Sequence, residues 1–322
     1  MKTIGKILLL MLVAALLCGC GKEAPVSGPV TIIGAQEEET PATEPTQTEP
    51  VATEPQYPYD YTMDTIFSVA DCYKYVPYAK IYGVLENNTP FSIKAVDGYR
   101  VHQGGCTDGT YGYFLLADPN GQIDGKQEEN CIMYKVDMAT WEVLAISDPL
   151  RVQHGNSITY NANIGKLVVA HCKPDANQVS IVDPEKMVVE QVITLERNIT
   201  SMTYNASRDL YVGRDGDEMF VFDGNFKLVD HFLGANDLLG IQNILCDDNY
   251  IYMLNSGVIA MPGTEGITVY DWNGGFRGVF RVGSMQETET LLIYDGKFYV
   301  SFYTGNGGKV YQLDLDLELL KY

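Results

Sequence analysis

The sequence predicts an all-β fold, a β-propeller of four-stranded antiparallel blades, from two markers that keep one period and from the turn chemistry between them. The first marker is a short strand ending in Asp or Asn: GGCTD to Asp108, SITYN to Asn161, SMTYN to Asn205, NILCD to Asp247 and LLIYD to Asp295, at intervals of 42 to 53 residues. The second falls between them: YKVD to Asp137, SIVD to Asp183, FVFD to Asp223, TVYD to Asp271 and YQLD to Asp314, at intervals of 40 to 48. Two markers in fixed order, five times over, indicate stacked repeats.

One unit shows what each repeat contains. Residues 200–204, 209–213, 218–222 and 226–232 read as strands, separated by NASR, RDGD and DGN. Asp-Gly and Asn-rich turns supply the positive φ that tight hairpins need. RDGDE at 214–218 lacks the spaced ligands of a calcium loop and reads as a tight turn. A lone meander would leave apolar faces and edges exposed, and stacking the units around an axis buries the faces. Counting from Gln103 to Tyr322 favours five blades, with LELLKY as the last outer strand. FSIKAVD places Asp97 forty residues before Asp137, so residues 57–101 are either a degenerate sixth blade or a closing strand and cap.

The N-terminus has a different character. Lys2 and Lys6 precede an apolar run, Ile7 to Leu17, too short to span a bilayer core of roughly 30 Å. This reads as a signal peptide over 1–19. Its ending, LLCGC, resembles the lipobox of bacterial lipoproteins, with Leu17 three residues before Cys20 and Gly19 just ahead of it. The resemblance implies cleavage before Cys20, lipidation of its thiol, and a protein held at the cell membrane and facing the extracellular side. Residues 20–56 repeat Thr-Glu-Pro at 43–45, 48–50 and 53–55 and read as a disordered, self-repelling tether ahead of a propeller domain at 57–322.

Seven of the 42 acidic and three of the 22 basic residues precede residue 57, leaving 35 against 19 in the propeller domain. Such an excess of negative charge argues against a nucleic-acid partner. Cys72, Cys106, Cys131, Cys172 and Cys246 follow no CxxC spacing, so they read as buried small side chains with at most one or two pairs, and no metal site is indicated. Neither G-x-S-x-G, HExxH nor a phosphate-cradling loop occurs, and no cofactor is expected.

GGCTDGTYGYFLL, HGNSITYN, VSIVDP and FVFDGNFKLV resemble blades of secreted Gram-positive bacterial propellers related to the NHL, YVTN and glutaminyl-cyclase-like groups. The likeness runs over roughly residues 100–314 and implies a fold and an extracellular setting, because the motifs define blades rather than an activity.

Function is expected where the inner strands begin. Five residues before each first marker stand Gln103, Asn156, Thr200, Gln242 and Thr290, all polar, with His102, His154, Asn198, Asn243, Glu287 and Glu289 beside them. Such a ring can hydrogen-bond a sugar, a peptide end or a hydrated cation, or merely hold water. The loops at 118–130 and 255–266 are longer than a hairpin requires and should open on the same face. The expected role is binding of a cell-wall polymer, glycan or protein at the channel mouth. The alternatives are an extracellular hydrolase or cyclotransferase using Glu289 and His154 as acid and base, and a scaffold in an envelope complex.

Overall fold

The computed structural model describes residues 79–216, 218–234, 240–256, 265–283 and 286–320. The signal peptide, Cys20, the tether, Cys72 and the remainder of 57–78 lie outside them. Among the described residues the chain forms a β-propeller of three separate four-stranded antiparallel sheets, a nine-stranded sheet in which two antiparallel groups meet through one parallel pair, Gly307 with Val101, and a short hairpin of Gln122–Ile123 with Lys126–Gln127; the two groups and three sheets are numbered 1 to 5 in chain order. Sheet 1 comprises Val101–Thr107, Tyr111–Asp118, Asn130–Asp137 and Glu142–Ile146. Sheet 2 comprises Ser157–Asn161, Lys166–Ala170, Gln178–Asp183 and Val188–Thr194. Sheet 3 comprises Ser201–Asn205, Leu210–Asp215, Glu218–Asp223 and Leu228–Leu233. Sheet 4 comprises Gly240–Cys246, Tyr250–Ser256, Gly266–Asp271 and Phe276–Arg281. Sheet 5 comprises Thr288–Tyr294, Lys297–Tyr303 and Gly307–Asp314, completed by two strands from much earlier in the chain.

The first strand of each sheet touches the first strand of the next, and sheet 5 returns to sheet 1, so the inner strands form a closed ring. Each interface between neighbouring sheets holds its own apolar cluster: Leu115, Met133, Ile158 and Val169 between sheets 1 and 2, for example, and Phe91, Phe114, Leu116 and Tyr299 between sheets 5 and 1.

The two markers have separate local causes. At the end of the first strand in sheets 1 to 4 an Asx side chain caps the turn: Asp108 Oδ1 accepts from Thr110 and Tyr111 N–H, Asn161 Oδ1 from Asn163 and Ile164, Asn205 Oδ1 from Arg208, and Asp247 Oδ1 from Asn249 and Tyr250. Asp295 and Gly296 instead adopt φ of 49° and 69°, the left-handed pair of a two-residue hairpin. At the end of the third strand, Asp137, Asp183, Asp223 and Asp271 each accept two backbone N–H groups from the following turn. In sheets 1 to 4 a register shift just ahead of that Asp bulges the pairing with the fourth strand and so increases its twist.

The last repeat departs from the expectation that LELLKY is its outer strand. Leu317–Leu320 is a 3-10 helix, and the edge of Gly307–Asp314 is occupied by Phe91–Lys94, opposite residues 307–310, and Lys80–Gly83, opposite 311–314. Phe91 and Ile93 of this closing strand are 6% and 1% exposed and pack between sheets 5 and 1, while Leu320 is buried in the cluster between sheets 4 and 5. Cys106, Cys131, Cys172 and Cys246 are all buried, and no disulfide joins any two of them.

The inner ring is tight. A Cβ at Gly104 would lie 2.6 Å from Ser157 Cα, which is backbone and cannot yield. Gly104→Ala is therefore expected to cost about 2 kcal/mol in denaturant unfolding, whereas Val143→Ala on an exposed outer strand should stay within about 0.5 kcal/mol of the parent. Deleting residues 80–94 should bare the 307–314 edge and produce self-association in light scattering; a well-behaved monomer would contradict the closure described.

Candidate functional site

Antiparallel order places the starts of all five inner strands, and every loop between second and third strands, at one end of the ring. Three inner strands carry a register shift close to that end: between His102 and Gly105, between Ile241 and Ile244, and between Thr288 and Thr290. The shifts fall at Gln103, at Gln242 with Asn243, and at Glu289, re-aiming polar side chains that a regular strand would alternate between its two neighbouring interfaces.

Most of the polar positions read from the repeat serve the ring itself. Thr290 Oγ1 donates to Gln103 O at 3.1 Å, joining sheets 5 and 1, while Gln103 Oε1 is buried with no partner among the described residues. Thr200 Oγ1 donates to Arg214 O at 2.9 Å within sheet 3. Asn243, 1% exposed, lines a cavity of about 170 Å³ further along the channel with Thr107, Thr159 and Thr203. Asn198 is exposed. His102, read as a mouth residue, is instead wedged between sheets 1 and 5. Its Nδ1 lies 3.1 Å from Leu115 O and its Nε2 2.7 Å from Ser301 Oγ, and burial lowers its pKa to about 4, so it is a neutral packing residue.

Asn156 has a larger effect. Its Nδ2 donates to Thr200 O at 2.8 Å and to Gln242 O at 3.1 Å. Sheets 2 and 4 are not neighbours in the ring, so this side chain crosses the channel. The mouth is therefore a cup with a floor, and its walls carry the chemistry.

On one wall Gln242 Nε2 donates to Glu287 Oε1 at 2.5 Å, and Tyr303 N–H fixes the Glu287 backbone through its carbonyl at 2.8 Å. Two further carboxyls lie close: Glu265 is fully buried, with neither oxygen hydrogen-bonded among the described residues, and Glu289 is 3% exposed. On the opposite wall His154 Nδ1 lies 2.5 Å from Glu129 Oε1, and His154 N–H donates to Lys173 O at 3.4 Å. His154 thus pairs with Glu129, while Glu289, read with it as acid and base, lies buried on the other wall. Among the described residues the Lys173 ammonium has no carboxylate within ion-pair distance.

Burial sets the electrostatics. It raises the Glu287 pKa, against the Gln242 hydrogen bond and the charges of His154 and Lys173 across the cup. It raises Glu289 well above the usual carboxylate range, with Glu287 adding to the effect. Glu265 is pushed up to about 7, chiefly by burial, with the Glu287 charge adding to the effect. One side of the cup therefore holds carboxyls whose proton affinity is raised by burial, and the other holds His154 and Lys173 beside Glu129.

Arg214 was read as part of a turn, but its strand continues to Asp215 and the side chain is fully buried. Its Nε donates to Gly216 O and its Nη1 to Asn255 Oδ1 at 3.0 Å, tying sheet 3 to sheet 4 beneath the loops. Glu129 and Glu265 come from the two long loops, so loop length was the available signal for them; nothing in the sequence marks Lys173.

A carboxyl with a raised folded-state pKa takes up a proton more readily folded than unfolded, so stability is greatest at low pH and falls as pH rises from the unfolded value through the folded one. For Glu265 the window is 4.5 to about 7. Unfolding free energy is expected to fall between pH 5 and pH 8, by at most about 3 kcal/mol from this group. Glu265→Gln should flatten that slope, with Glu289→Gln flattening it further; an unchanged slope in both variants would refute the assignment.

Neither a protein-family model nor a curated protein matches the sequence. Among solved structures the chain is similar to the glutaminyl cyclase of Myxococcus xanthus, at 11% identity and a TM-score of 0.46, over 68% of this chain and 94% of that one. It is also similar to the hydrazine synthase of Kuenenia stuttgartiensis, at 14% identity and a TM-score of 0.40, over 68% of this chain and 59% of that one. Likeness this distant transfers no residue role, and the site rests on its own geometry.

Proposed function

We propose that residues 57–322 are the binding domain of an extracellular protein anchored to the cell membrane through a lipid on Cys20. Its partner is a cell-wall polymer, glycan or protein engaged at the cup. The observation that carries this reading is the floor made by Asn156, which turns the channel end into a polar recess lined by Gln242, Glu287, His154 and Glu129. Concave sites with a few fixed polar groups are where ligands are held.

Replacing the cup's accessible hydrogen-bonding groups tests it. A His154→Ala, Gln242→Ala double variant is expected to keep its circular dichroism and melting behaviour while losing about tenfold or more in affinity for purified cell-wall fractions in a sedimentation assay. Unaltered binding would remove the cup from the interaction. Cys20→Ser should shift the protein from the membrane to the soluble fraction; continued membrane fractionation would contradict the lipid anchor.

A second reading is supported by the Glu265 carboxyl near 7 and the His154–Glu129 pair, which suit a hydrolase or cyclotransferase working by general acid-base chemistry. Under it, turnover of a cell-wall or peptide substrate follows a bell-shaped pH profile whose acid or base limb moves in Glu265→Gln.

A further inference from the structure

One wall of the cup carries Glu287 with Glu265 behind it, the other carries Lys173 beside the His154–Glu129 pair, and among the described residues no ion pair joins the two. Glu287 lies within electrostatic reach of His154 and Lys173, yet its hydrogen bond goes to Gln242 on its own side. Glu265, beside it, is fully buried with both oxygens unpartnered among the described residues. Across the cup, His154 is held by Glu129, and the Lys173 ammonium has no ion pair among the described residues.

The separation of the walls is fixed by the protein. Asn156, two residues beyond His154, is bonded to the carbonyl of Gln242, whose own side chain holds Glu287. Lys173 is tied to the same wall as His154 through its carbonyl. The walls therefore cannot easily collapse to neutralise each other.

A lone cation in this space would meet Lys173, and a lone anion would meet Glu287. A neutral sugar would leave both charges desolvated without compensation, which is the costly outcome for buried ions. We infer that the cup takes a small zwitterion, an amino acid or short peptide whose ammonium faces Glu287, with the buried Glu265 behind it, and whose carboxylate faces Lys173 beside the His154–Glu129 pair. Both ends then form charge-assisted hydrogen bonds, and the order of charges fixes the ligand's direction. This deepens the proposed function and rests on the cup being the binding site.

Calorimetric titration of the full chain tests it, with glycine, D-alanine, L-alanine and glycylglycine as probes, each compared with its N-acetyl and C-amide forms. At least one free zwitterion is expected to bind and to lose about tenfold or more when either end is blocked. Lys173→Met should erase the preference for free carboxylate over amide, and Glu287→Gln the preference for free amine over N-acetyl. Blocked and free forms binding alike, or no zwitterion binding, would overturn the inference. If the zwitterions fail while the His154→Ala, Gln242→Ala variant still loses the cell-wall fractions, only the ligand class is wrong. If that variant also binds normally, the cup reading falls with it.

Discussion

The narrowness of the inner ring is the constraint on which the rest of the molecule depends. Five inner strands converge closely enough that only a glycine fits where residue 104 meets Ser157. At that separation short side chains can bridge backbones: Ser157 Oγ accepts from Met202 N–H, Thr159 Oγ1 from Tyr204 N–H, and Thr290 Oγ1 donates to Gln103 O. These bonds engage strand groups that would otherwise face the channel unpaired, a deficit that buried backbone rarely tolerates. The same narrowness lets one asparagine reach carbonyls on two other sheets and close the mouth.

Below that floor the channel is lined by hydroxyls, an amide and apolar side chains; above it are most of the groups with acid-base chemistry. The division follows from the topology, because the loops that join second to third strands all emerge at the mouth and bring Glu129, Lys173 and Glu265 with them. Gathering several carboxyls under partial burial raises their proton affinity together, so the cup holds its charge less firmly than the acidic surface around it.

What could be read from the sequence was what is local. An Asp or Asn that caps a turn two to four residues ahead leaves its mark in four of the five repeats, and so the period, the strand order and the inner-strand starts are legible at Asp108, Asp137, Asn161 and their counterparts. Arg214 was misread for the same reason, since RDGD has the composition of a turn even though the arginine points inward to Asn255. The pairing of residues 80–94 with 307–314 joins distant parts of the domain; FSIKAVD left a sixth blade and a closing strand both open, and the structure has the closing strand, whose register on 307–314 has no local signature. The site fell between these cases. Gln242 and Glu287 were visible as repeat positions, whereas the partnership of Glu129 with His154 arises from two loops whose paths no periodicity specifies.

The closing strand also has a kinetic meaning. Phe91–Lys94 must remain without its partner until Gly307–Asp314 has been made, more than two hundred residues later, so the ring cannot shut progressively as the chain emerges. Joining contacts so remote in sequence is slow relative to forming the local hairpins of each sheet. Until then two unpaired strand edges coexist on one molecule, and the interval before closure is when this protein is most exposed to pairing with another copy of itself.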